Sequence, residues 1–81
     1  MKLDIFTPEQ IYFSGEVISV TLPGVQGSFT MLENHAPIIS ALGKGKIVYK
    51  TSENSEQEIS IVSGFVEGHE NIITVSVEGV A

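Results

Sequence analysis

The chain has no cysteine, no tryptophan and no arginine among its 81 residues. Without cysteine there is no disulfide framework and no thiolate metal ligand. Lysine is scarce as well: four lysines face ten acidic residues, and the net charge is -6. A nucleic-acid-binding surface needs a basic face to neutralise phosphates, so this balance excludes it. The same sign argues against electrostatic adsorption to anionic lipid. No apolar run approaches the ~18–20 residues of a membrane helix, and the opening MKLDIFTPEQ is neither signal peptide nor transit peptide. No direct membrane insertion is expected.

What is present is alternation with a period of two. Leu3 and Ile5 share a face, as do Ile18, Val20 and Leu22, then Ile47 and Tyr49, then Ile73, Val75 and Val77. Between them stand serine, threonine, lysine and glutamate, the pattern of β-strands with one buried and one wet face. Turn residues recur at short intervals: Pro8, Gly15, Pro23-Gly24, Gly27, Asn34, Gly43, Gly45, Asn54, Gly64, Gly68 and Asn71. Pro23-Gly24 predicts a tight turn, since proline presets φ and glycine tolerates positive φ. Ser52–Ser55 predicts a hairpin tip. Thr7-Pro8-Glu9-Gln10 is the one helical candidate and lasts a turn at most. The reading is one all-β domain over residues 1–81, of eight to ten strands, with no long helix.

Groups that carry chemistry are sparse. The chain has two histidines, His35 and His69, and no spacing that suits a metal; His69 is read as solvated in a polar turn. No phosphate loop is present. Glu56 and Glu58 share a strand face and are read as solubilising carboxylates in preference to a catalytic pair. Ser14 and Ser63 have no base near in sequence. Lys44, Lys46 and Lys50 form a short basic stretch: a solvated hairpin face, or a docking patch for an acidic partner. No catalytic residue, cofactor or metal is expected. The least regular segment, residues 27–40, gathers Phe29, Met31, Leu32, His35, Pro37, Ile38 and Ile39. Its His-Ala-Pro corner cannot join a ladder, because proline lacks a donor and restricts Ala36. Most of these apolar side chains are assigned to the core, and the rigid corner is a candidate contact site.

At this segment the sequence resembles a known family. The run G-S-F-T-M-L-E-N-H-A-P-I-I, residues 27–39, is similar to the G-x-F/L-G-I-L-x-x-H-A-P-L segment of ATP synthase ε subunits, matching at Gly27, Phe29, Leu32, His35, Ala36 and Pro37. Upstream, Asp4, Thr7, Pro8, Phe13, Ser14, Gly15 and Val17 match the start of the family; downstream, V-S-G-F-V-E and I-T-V resemble its last strands. Thr30, Met31, Ser63 and Gly68 depart from the pattern, the last standing where valine is common.

The resemblance implies a ten-stranded β-sandwich, a flattened barrel, serving as a non-catalytic central-stalk subunit of a rotary proton-translocating ATP synthase. It would bind the γ subunit through His35, Ala36, Pro37, Ile38 and Ile39 and the c-ring through Gly27, Ser28 and Phe29, coupling rotation to synthesis. The implied location is peripheral, on the cytoplasmic face of a bacterial plasma membrane. The family's C-terminal two-helix domain, which brakes hydrolysis and binds ATP in some members, is expected to be absent, and no nucleotide is expected without it. Two other functional classes are alternatives. A biotinyl or lipoyl carrier would need a modified lysine at Gly43-Lys44-Gly45-Lys46, but the flanking residues those ligases read are missing. An unrelated sandwich adaptor is the third.

Overall fold

A computed structural model describes residues 1–80. Eight strands follow one another: β1 (Lys2–Phe6), β2 (Ile11–Glu16), β3 (Ser19–Gly24), β4 (Gly27–Leu32), β5 (Ile38–Leu42), β6 (Gly45–Ser52), β7 (Ser55–His69) and β8 (Ile72–Val80). Neighbours run β2-β1-β8-β7-β5-β3-β4, with β6 pairing β3 and β7. All pairs are antiparallel except β1 with β8.

Strand β7 unites the two layers. Its first half, Ser55–Ile61, pairs with β6, and its second half, Gly64–Gly68, pairs with β5. Bulges between Ile61 and Gly64 in its ladder with β8 turn the strand between these roles. One layer is thus β2-β1-β8-β7-β5 and the other β4-β3-β6-β7. The body measures 26 × 23 × 21 Å, nearly equal in all directions, as expected for a sheet folded over on itself.

The alternation places its apolar members as expected. Leu3, Ile5, Val20, Leu22, Ile47, Ile61, Ile73 and Val75 are fully buried in one cluster between the layers. Burying each such side chain contributes roughly 1.5–3 kcal/mol. Phe13 from β2 meets Tyr49 from β6 across the cluster, with ring centroids 4.4 Å apart. Ile18 is an exception: it precedes β3, stays partly exposed, and gives its backbone N–H to the Lys50 carbonyl at 2.8 Å.

The turns depart from the positions expected from sequence. Pro23-Gly24 lies inside β3, and the hairpin turns one step later, at Val25-Gln26. Proline is tolerated there because β6 pairs only with Ser19–Thr21, so Pro23 lies beyond that ladder, and its carbonyl accepts from Gly43 at 2.8 Å. Thr7–Gln10 forms a tight turn in place of a helical one: the Thr7 hydroxyl accepts the Glu9 and Gln10 N–H groups at 3.3 and 3.2 Å. Gly64 and Gly68, read as breaks, sit within the 15-residue β7, and the eight strands described fall within the eight to ten read from the sequence. A Cβ at Gly64 would stand 2.6 Å from the Ser76 carbonyl oxygen, so glycine here serves close approach of backbones.

Candidate functional site

The chain supplies two separated groups of candidate contact residues, one at each end of β4. Gly27 and Ser28 are exposed at the tip of the β3–β4 hairpin. Gly27 has φ 129°, a value that excludes most other residues. Phe29 points the other way: it is half-buried against the core and lies where a side chain on Gly24 would have to go. Exposed Val25, 62% accessible, shares the tip and was not singled out in the sequence. The tip is tied to β5 by the Val25 N–H on the Ala41 carbonyl at 3.1 Å.

The second group lies one strand length away, about 20 Å by the rise of β4. After Leu32 the chain turns at Glu33-Asn34, with Asn34 at φ 62°. His35, Ala36 and Pro37 then form the corner that leads into β5. Ala36 and Pro37 are exposed, and Ile39 is 77% accessible; His35 is half-buried, and Ile38 turns inward opposite Gly68. The five residues therefore divide: three offer surface, while His35 and Ile38 hold the corner to the body.

His35 is held in an unusual way. Its Nδ1 lies 3.0 Å from the Ala36 carbonyl oxygen. A carbonyl can only accept, so Nδ1 is the donor in this contact. Nε2 is buried without a protein partner. The ring and Met31 together fill the volume that a side chain at Gly68 would take: a Cβ there would meet Met31 Cε at 2.8 Å and His35 Cε1 at 2.9 Å.

Next to the corner the outer face of β5, β7 and β8 is apolar at its centre. Phe65 is 55% accessible and stands opposite Ala41 on one side and Ser76 on the other. With Ile39 it lines an open groove of about 360 Å³ bordered by Glu67, Thr74 and Ser76. Sequence reading missed Phe65, although the signal existed: once Val66 is assigned inward, Phe65 must face out, and a large aromatic side chain on a wet face marks a contact surface.

Charges elsewhere serve the fold. The Met1 ammonium meets the Val17 carbonyl at 3.2 Å, Glu16 Oε1 at 3.3 Å and the Glu33 carboxylate. The hydrogen bond with Glu33 raises its pKa above the ordinary value, burial opposes this, and Glu16 adds to it. In the basic stretch Lys46 pairs with Glu58 at 3.1 Å and Lys50 lies in register with Glu56, so the carboxylates of β7 answer these two lysines as a solvated hairpin face. His69 is exposed at the end of β7, just before the β7–β8 turn and not within it. Among the described residues no cluster of histidine and carboxylate groups could hold a metal, and no helix is long and apolar enough to cross a membrane.

Comparison with known proteins places this geometry in a family. Residues 1–81 match the family described as the ATP synthase, Delta/Epsilon chain, beta-sandwich domain. The chain is 47% identical over 66 residues to the ATP synthase epsilon chain of Chlorobium limicola, covering 82% of itself and 75% of that relative. It is 42% identical over 79 residues to that of Sulfurovum sp. (strain NBC37-1), covering 98% of itself but 62% of the relative. In solved structures it resembles a chain of the Tetrahymena thermophila mitochondrial ATP synthase central stalk and c-ring, with TM-score 0.83 at 15% identity over 99% of this chain and 64% of that one. A chain of the Euglena gracilis mitochondrial ATP synthase gives TM-score 0.88 at 15% identity over 98% and 51%. At that identity the likeness speaks for the fold, and with the family match it settles the assignment: the chain belongs to the β-sandwich domain family of ATP synthase δ/ε chains.

Proposed function

We propose that the chain is a non-catalytic rotor element of a proton-translocating ATP synthase, clamping the γ subunit to the c-ring so that the stalk turns as one body. It acts peripherally, on the cytoplasmic face of a bacterial plasma membrane. Family membership and the names of its relatives support the assembly. The observation that carries the docking role is the exposed Ile39–Phe65 pair beside the His35–Pro37 corner. Ile39 and Phe65 have no core to reach, and burying them against a partner would yield the hydrophobic gain they forgo in the free chain.

The geometry suits a clamp because the two groups sit at opposite ends of β4. The His35–Ile39 corner with Phe65 is assigned to γ, and the Gly27-Ser28 tip with Val25 to the polar loops of the ring. Phe29 stiffens the tip from behind. A specific footprint takes about 800 Å² per partner, so two would use about a third of the chain's 4745 Å² surface. Torque passes between them through continuous hydrogen-bonded strands.

The test is a titration of γ with the wild-type chain, Ile39→Asp and Phe65→Ser. Each substitution is expected to weaken binding by at least about 30-fold, the size of an interface hot spot. Unchanged affinity in both variants removes this face from the interface. A rotor that assembles and couples fully without the chain removes the function.

A further inference from the structure

Two turns far apart in sequence are locked together by one pair of amides. The Asn34 backbone N–H donates to Asn71 Oδ1 at 2.6 Å, and Asn71 Nδ2 donates to Asn34 Oδ1 at 3.0 Å. The orientation of the Asn71 amide is fixed by chemistry, since the atom facing a backbone N–H must be its oxygen. Asn34 precedes the His35 corner; Asn71 closes the β7–β8 hairpin. Both have left-handed backbones, φ 62° and 60°, and Glu70 beside Asn71 has φ 52°. Asparagine tolerates this conformation better than other residues with a side chain, and its amide can bond across the turn. The Asn71 carbonyl also accepts the Lys2 N–H at 2.9 Å, so the β7–β8 turn is itself anchored to the start of β1.

We infer that Asn71 is a positioning residue for the docking corner: its amide holds Asn34, and through it His35–Pro37, in the conformation a partner meets. This rests on the docking reading given above. The segment Glu33–Pro37 has no strand pairing of its own. Its restraints come from outside: the Asn71 amide on Asn34, the Met1 ammonium on Glu33, and the packing of His35 over Gly68. Of these, the Asn71 amide is the one that grips the corner's backbone by a hydrogen bond. A corner fixed before encounter loses less conformational freedom on binding and docks faster.

Two substitutions separate position from stability. Asn71→Gly keeps the left-handed backbone and deletes the amide. Asn71→Asp keeps the acceptor for the Asn34 N–H and deletes the donor. In Asn71→Gly, hydrogen exchange at the Asn34 amide should accelerate at least about 10-fold beyond any change at Ile47 and Val75 in the strand centres, because an isolated hydrogen bond opens locally. Association with the γ subunit of the same organism should slow about 3- to 10-fold, and Asn71→Asp should fall between. Ile39→Asp serves as the separate arm: it should weaken binding by at least about 30-fold and leave Asn34 exchange as in wild type. Wild-type γ affinity in both Ile39→Asp and Phe65→Ser sinks the docking reading alone. Wild-type association rate in Asn71→Gly, whether or not Asn34 exchange rises, overturns the role of Asn71.

Discussion

The packing beneath the His35–Pro37 corner gives a quantitative prediction. Gly68 faces inward from β7, between Ile38 on β5 and Ile73 on β8. Replacing it with valine places a Cβ 2.8 Å from Met31 Cε and 2.9 Å from His35 Cε1, closer than real side chains approach. The methionine end can swing away, since it is flexible and unbranched. The imidazole has less freedom, because its Nδ1–H is bonded to Ala36. Overpacking of this kind costs roughly 1–3 kcal/mol, and the two γ-methyls of valine put this case in the upper part of that range. Removing a glycine from a strand returns about 0.5–1 kcal/mol of backbone entropy. The net expectation for Gly68→Val is a loss of about 2 kcal/mol, or about 8–16 °C in Tm for a domain this small.

Shortening the methionine should reverse most of that loss. Met31→Val alone removes the atoms that fill the space over Gly68 and should cost about 1–3 kcal/mol through the cavity it leaves. In the double variant the valine at 68 occupies that cavity. The two changes should then be non-additive by at least about 1 kcal/mol in the favourable direction, as residues in contact are. Urea unfolding followed by circular dichroism measures all four corners of the cycle, with an unchanged m-value as the check on two-state behaviour. An interaction energy below about 0.5 kcal/mol, or a Gly68→Val chain as stable as wild type, refutes the account of how Met31, His35 and Gly68 share this volume.

Other expectations follow from the same structure. The Met1 ammonium holds its proton more tightly in the folded chain, chiefly through Glu33, so its contribution is complete below about pH 8 and is lost as pH rises through its native value. Burial likewise raises the Tyr49 phenol, and with the same sign a second loss begins above about pH 10. Denaturant titrations from pH 7 to 11 should show both steps; Glu33→Gln should flatten the first and Tyr49→Phe the second. Gly64→Ala should destabilise by more than about 2 kcal/mol, because its Cβ would meet the backbone oxygen of Ser76 at 2.6 Å and no side chain can yield; an unfolding midpoint within 3 °C of wild type, by the scale of about 4–8 °C per kcal/mol, contradicts this. Ile39→Asp and Phe65→Ser should each change stability by no more than about 0.5 kcal/mol, since both side chains already face water. A large loss of stability would show that they belong to the core.

Alternation was the part of the fold legible in the sequence, because a half-buried strand imposes its period on every residue it contains. Leu3, Ile5, Val20, Leu22, Ile47 and Ile73 could be assigned to the core from spacing alone. Glycine and proline were less readable. Their local preferences favour turns, yet Pro23 and Gly64 sit in strands where the tertiary arrangement asks for a missing donor or a missing side chain. No window of sequence contains the Ser76 carbonyl that decides Gly64. The candidate site shows the same division. His-Ala-Pro announces an irregular corner, but the partition of Ile38 inward and Ile39 outward follows from the phase of β5 against β7. Phe65 joins the surface through that same register, paired with Ala41 on β5, and Asn71 reaches Asn34 at a sequence separation of 37.

Those long-range links bear on how a body of this size could transmit torque. A small domain has a modest core, and its surface loops are the first parts to open. Here both proposed contact groups are loops or strand ends, the least protected class of structure. Each is nonetheless tied to an element distant in sequence: the Val25 tip to Ala41 on β5, and the Asn34 corner to Asn71 in the β7–β8 turn. Because β7 belongs to both layers, a force applied at either group loads the same continuous strand. Stiffness therefore does not depend on the two layers staying packed by hydrophobic contact alone; the backbone of Ser55–His69 bridges them covalently. A sandwich whose layers shared no strand could shear under load, whereas this one must break ladder hydrogen bonds along β7 before its layers can slide past each other.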